Sequence, residues 1–192
     1  MKGMRVGEAE NKGWKKVGSI DLVNNKKEAI GVNVAGIVLM ALMCVALPFL
    51  LKDGVLSYFK NAGVLQPLAL VFGIVLYIPL HEIVHGIVLR LFTDEKISFG
   101  WKFVYAYCGS KEAMLTSYEY FAVALAPALV FSLVFLPPVF LFPSWSVFWY
   151  FLEMMNISGA VGDFYVVIRI WGQRKDNILV SDSGTAMTIW KK

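Results

Sequence analysis

The sequence predicts an all-α integral membrane protein of about four transmembrane helices, with a small β-hairpin between helices 2 and 3. Three observations lead there. Of the 192 residues 58% are hydrophobic and 17% charged, against roughly 25% charged in a soluble domain, and the mean hydropathy is +0.63. The apolar residues fall into four long blocks instead of short periodic patches. One connecting stretch alternates with a period of two.

Block one, Ile30 to Leu51, is uncharged and meets the requirement of about 20 apolar residues for a spanning helix. Block two, Leu65 to about Leu91, is long enough to cross with tilt but carries His81, Glu82 and His85 in its second half. Block three, about Tyr120 to Phe142, contains Pro127, Pro137 and Pro138, which spans tolerate where neighbours satisfy the freed carbonyls. Block four, Trp145 to about Trp171, contains Glu153, Asn156, Gly159, Gly162 and Asp163.

Between blocks two and three, the run from Ile97 to Cys108 places Phe99, Trp101, Phe103, Tyr105 and Tyr107 on alternate positions, the pattern of a hairpin arm. Such an arm serves either as an aromatic row at the membrane interface or as an edge strand for an extended peptide. The tail from Gly172 to Lys192 has a short apolar stretch at Ile178 to Val180 and a turn candidate at Gly184, enough for a strand pair.

Three divisions follow: a basic N-terminal segment 1–29, a membrane domain 30–171 and a tail 172–192. Four spans put both termini on one side. Of the 18 Lys and Arg, only Lys52 and Lys60 fall on the opposite side, so the positive-inside rule predicts a multi-pass cell-membrane protein with both termini cytoplasmic. The first 29 residues lack the apolar core of a secretory signal. The basic residues flank spans without a reader motif, so no nucleic-acid partner is expected. The two cysteines, Cys44 and Cys108, make neither a disulfide framework nor a thiolate metal motif.

Chemistry concentrates at His81-Glu82-Ile83-Val84-His85, an H-E-x-x-H pattern that puts two imidazoles on one helix face, able to share a zinc ion, with Glu82 as general base. These are the only two histidines of the chain. A pair of satisfied core histidines is the bland alternative. It fares poorly here, because ionisable groups inside spans cost about 2.5–3.5 kcal/mol each even on lenient scales.

A third ligand must come from block four, and depth separates the candidates. The histidines lie on the inner side of their block's midpoint by roughly 4–10 Å. Asp163 lies at a similar depth, whereas Glu153 lies on the other side of the midpoint, so Asp163 is the expected ligand. Asn156, two turns before Asp163, shares its face and is a candidate substrate or oxyanion donor, although Asn in a span also serves as interhelical glue.

With His81, Glu82, His85 and Asp163, the aromatic Tyr105-Ala106-Tyr107-Cys108 segment and Leu125-Ala126-Pro127, the chain resembles the putative-zincin family of small prokaryotic membrane proteins. More distantly it resembles the site-2 protease class of intramembrane metalloproteases. In that class the Asp ligand sits in a motif with an upstream Asn, a Pro and usually a following Gly. Here the Pro is missing and Phe164 follows Asp163. The resemblance implies cleavage within or beside a membrane span.

The residues therefore predict a zinc-dependent intramembrane peptidase acting on a membrane-protein or peptide substrate. Two alternatives stand beside it. One is a non-catalytic membrane module that keeps a metal site for scaffolding, sensing or metal handling, which would need a fourth protein ligand such as Cys108. The other is a membrane zincin of another type with Glu153 as third ligand.

Overall fold

The computed structural model describes residues 4–61, 63–102, 105–173, 177–184 and 186–192. Among these described residues, four helical stretches are long and apolar enough to cross a membrane: Lys26–Leu50, Leu65–Phe92, Ser117–Leu141 and Pro143–Trp171. They correspond to helices α2 (Lys26–Leu50), α4 (Leu65–Phe92) and α5 (Ser117–Leu141), and to a 3-10 turn at Pro143–Trp145 followed by α6 (Ser146–Gly159) and α7 (Val161–Trp171). α2 and α5 begin before the apolar runs because polar caps extend them. The Asn25 side chain accepts from Glu28 N. Thr116 and Glu119 form a reciprocal capping box.

None of the α2 residues is buried, and α2 lies on the outside against α6 and α7. α5 is the most enclosed of the four. Tyr77, Phe131, Phe135 and Leu152 form a buried, largely aromatic cluster between α4, α5 and α6. The outward faces are apolar, with Ile37, Phe49, Phe72, Leu133 and Phe140 all exposed. A lipid phase would cover such a surface. A further helix, α3 (Lys52–Asn61), fills the connection between the first two spans and packs against the Pro143–Trp145 turn.

The expected all-α protein with one small hairpin is corrected by the presence of a six-stranded antiparallel sheet. Its strands are β1 (Met4–Arg5), β2 (Lys15–Ile20), β3 (Ser98–Lys102), β4 (Tyr105–Thr116), β5 (Ile178–Asp182) and β6 (Met187–Lys191). The order is β1-β4-β5-β6-β2, with β3 also paired to β4. A short helix α1 (Val6–Asn11) follows β1. Four consecutive membrane-length helices return the chain to the same end of the bundle. The N-terminal segment, the connection between α4 and α5 and the C-terminal tail therefore meet there, and each supplies two strands.

The hairpin read from the alternation exists as β3 and β4, with Phe99 opposite Cys108. Phe103 and Val104 lie outside the described residues. The tail pair also forms, as β5 and β6 around Gly184 at φ +83°. The sheet is seated on the helix ends: Ile20, Leu115, Val180 and Ile189 share a core with Leu89 of α4, Phe121 of α5 and Ile170 of α7. A second cluster, Ala9, Met114, Leu179 and Trp190, joins α1 to the sheet. That seat fixes β4 beside the second half of α4, where the H-E-x-x-H residues lie.

Candidate metal centre

α4 carries His81 and His85 one turn apart on its inner face, with ring centroids 4.9 Å apart. Block four is not one continuous helix. It breaks at Ala160, and Asp163 falls in the first turn of α7. This places the carboxylate opposite both rings. His81 Nε2 is 3.4 Å from Asp163 Oδ2 and His85 Nε2 is 3.6 Å from Asp163 Oδ1. One ligand atom from each residue lies within 4.8 Å of the others, a group that could hold a metal ion.

The donor set fits zinc. Each imidazole faces the shared space with Nε2 and engages a second partner with Nδ1. His85 Nδ1 lies 2.9 Å from the main-chain oxygen of Val123, and because a carbonyl only accepts, His85 must carry its hydrogen on Nδ1 and a lone pair on Nε2. His81 Nδ1 lies 2.8 Å from Tyr77 Oη. Two oriented imidazoles and one carboxylate are a zinc donor set that leaves a coordination position open.

The three residues line a cavity of about 390 Å³, together with Glu82, Asn33 of α2, Cys108 of β4 and Asp182 of β5. Glu82 lies against the main-chain N–H of Cys108. Two titratable groups of the cavity wall that lie outside the helices are shifted. Burial, then the nearby Glu82 charge, pushes the Cys108 thiol up to about 12, so it stays a thiol. Burial pushes the Asp182 carboxyl up to about 6, against the pull of hydrogen bonds from Gly184 N at 2.7 Å and the Tyr120 hydroxyl at 3.1 Å. Among the described residues, no Lys or Arg lines this cavity.

Glu153 and Asn156 sit elsewhere. The Glu153 carboxylate accepts from Ser132 at 2.6 Å and from Asn156 at 3.2 Å. Asn156 is fully buried, and both ends of its amide are engaged by Tyr77, Ala128, Ser132 and Glu153. Neither residue lines the cavity. Sequence reasoning passed over Tyr77, although its spacing of four residues before His81 puts it on the same helix face. It also passed over Asp182, which carries no local signal because its tail folds back by strand pairing.

The sequence model of a family described as Putative zincin peptidase matches residues 74–178. The match takes in His81, Glu82, His85 and Asp163 and covers more than half of the chain. No curated protein and no solved structure matches the chain significantly.

Proposed function

Because the chain belongs to the family described as Putative zincin peptidase, we propose that it is a zinc-dependent intramembrane peptidase that hydrolyses a peptide bond of a membrane-associated protein. One observation carries the reading: one ligand atom each from His81, His85 and Asp163 lies within 4.8 Å of the others, with both Nε2 atoms turned to the Asp163 carboxylate, on the wall of a cavity that also receives Glu82.

His81, His85 and Asp163 would hold the metal. When bound, zinc supplies Lewis acidity, which polarises a peptide carbonyl and makes water a usable nucleophile at neutral pH. Glu82 acts as general base: its carboxylate takes a proton from the attacking water as the new C–O bond forms. It then delivers that proton to the amide nitrogen as the C–N bond breaks, releasing an amine and a carboxylic acid, whose remaining proton passes to solvent or to the amine. β4 passes the cavity at Cys108 and Gly109. An extended substrate segment laid alongside it would be held by main-chain hydrogen bonds, in the form needed for cleavage.

Membrane embedding is supported by the four apolar helices. The concentration of Lys and Arg in the sheet-bearing segments favours a cytoplasmic sheet and cytoplasmic termini, and with them a metal centre near the cytoplasmic face of the cell membrane. The test is cleavage of membrane-protein substrates by the full chain in proteoliposomes. Cleavage by the wild type that a chelator stops and zinc restores, with none by Glu82→Gln, supports the proposal. Equal cleavage by wild type and Glu82→Gln contradicts it.

A further inference from the structure

A chain of hydrogen bonds runs from His81 away from the metal centre into the middle of the helix bundle. Tyr77 Oη lies 2.8 Å from His81 Nδ1 and 3.2 Å from Asn156 Oδ1. Asn156 Nδ2 lies 3.0 Å from the main-chain oxygen of Ala128, 3.1 Å from Ser132 Oγ and 3.2 Å from Glu153 Oε2. Ser132 also donates to Glu153 Oε1 at 2.6 Å. Tyr77, Glu153 and Asn156 are all buried. Polar groups at this depth are costly unless each finds a partner.

The direction of every bond in the chain follows from its far end. The Ala128 carbonyl only accepts, so Asn156 must present Nδ2 to it and Oδ1 to Tyr77. Oδ1 also only accepts, so Tyr77 gives its single hydroxyl hydrogen to Asn156. Tyr77 therefore meets His81 as an acceptor, and His81 must carry its hydrogen on Nδ1. A neutral imidazole has one N–H, which leaves the lone pair on Nε2; that atom faces the Asp163 carboxylate at 3.4 Å, an arrangement suited to a cation held between them, whereas without the metal Asp163 competes for the ring hydrogen.

We infer that Tyr77 and Asn156 are positioning residues that lock His81 in the Nδ1-protonated tautomer and hold its Nε2 as a metal donor. Ser132 and Glu153 keep the Asn156 amide in the orientation this requires. The inference rests on the metal-binding half of the proposed function and is independent of peptide hydrolysis. Without Asn156, the Tyr77 hydroxyl is free to donate to His81 Nδ1, which moves the ring hydrogen to Nε2 and removes the donor. Without the Tyr77 hydroxyl, the Nδ1–H is left buried and unpaired. His85 reaches the same tautomer directly, through the Val123 carbonyl, and serves as an internal reference.

The chain has two histidines, so the full-length protein labelled with 15N-histidine, carrying Asp163→Ala to remove the acceptor that competes for the Nε2 hydrogens, metal-stripped in detergent and held at a pH where both rings are neutral, gives two readable imidazoles. With Tyr77 and Asn156 intact, both rings are expected to show Nδ1–H. Adding Asn156→Leu leaves that signature on His85 and moves His81 towards Nε2–H; with Asp163 intact, Asn156→Leu lowers zinc affinity from chelator competition by about 10- to 100-fold. Tyr77→Phe loses affinity to a similar extent. Three results would overturn the inference: Nε2–H on His81 with Tyr77 and Asn156 intact and the Asp163 carboxylate removed; wild-type zinc affinity in both variants; or weakened affinity in Asn156→Leu with its His81 tautomer unchanged. Cleavage is not read in these measurements, so zinc bound as expected without proteolysis would count against the peptidase reading alone.

Discussion

His85 donates through Nδ1 to the main-chain oxygen of Val123 at 2.9 Å, so one of the two imidazoles is oriented by α5 backbone, through an acceptor that no side-chain substitution deletes. His81 depends instead on a side chain, Tyr77. The two histidines should therefore respond differently to changes around them.

Val123 is buried, and truncating it to alanine should cost about 1–2 kcal/mol of stability through lost packing. The carbonyl remains, so zinc affinity should stay within about threefold of wild type, against the larger loss typical of a deleted outer partner. Thermal unfolding in detergent and chelator competition on Val123→Ala read the two quantities separately. A tenfold loss of affinity would show that the carbonyl contact is not what orients His85.

Glu82→Gln removes the proposed base and leaves the three ligands. It should bind zinc with near wild-type stoichiometry and lose roughly 10²- to 10⁴-fold in cleavage rate. Metal analysis and initial rates on the same preparation check this, and loss of both together would place Glu82 in metal binding.

Asp182 titrates near 6 in the folded protein because burial disfavours its charge. Its carboxyl is raised above the ordinary value of about 3.9, so between these pH values the folded state holds a proton that the unfolded chain releases. Stability from this group is present below about pH 4 and is lost as pH rises to about 6. Asp182→Asn keeps the shape and cannot ionise. It should flatten that part of the stability curve and unfold at or above the wild-type temperature at pH 7, by on the order of 1 kcal/mol or more. A curve with unchanged slope from pH 4 to 6 would place the shift elsewhere.

Gly109 of β4 meets the main chain of Ser183 and Gly184 so closely that an added Cβ would collide with backbone on that side. Gly109→Ala should cost roughly 1–3 kcal/mol and disturb the cavity wall. Gly7→Ala, where an added Cβ has open space, should be neutral or mildly stabilising, by up to about 1 kcal/mol. Equal unfolding temperatures for the two variants would contradict the packing of the hairpin against the β5–β6 turn.

The spans were legible because about 20 apolar residues leave few alternatives. Their starts were not, since Asn25 and the Thr116–Glu119 box add polar first turns that hydropathy does not see. The convergence of Asp163 with His81 and His85 could be anticipated because helix rise converts sequence position into depth. The helix break at Ala160 that presents Asp163 to the rings left no Pro to mark it.

The sheet was legible only where partners are neighbours, in β3–β4 and β5–β6. Met4 pairing with Met114 and Lys15 with Lys191 join parts of the chain with no local periodicity in common. The destination of Asn156 was hidden for a related reason. Helical spacing puts it on a face with Asp163, and both do meet α4, but where Asp163 meets the two imidazoles Asn156 meets Tyr77, one turn earlier on α4, with Ala128 on its other side.

Metal content of the full chain purified in detergent without chelators reads out whether His81, His85 and Asp163 form one zinc site. About one zinc per chain is expected in the wild type, and in Asp163→Ala a loss of affinity beyond the roughly 10- to 100-fold that an outer partner costs. Full zinc occupancy in Asp163→Ala, or a wild type that takes up no metal when zinc is supplied, would contradict that shared site.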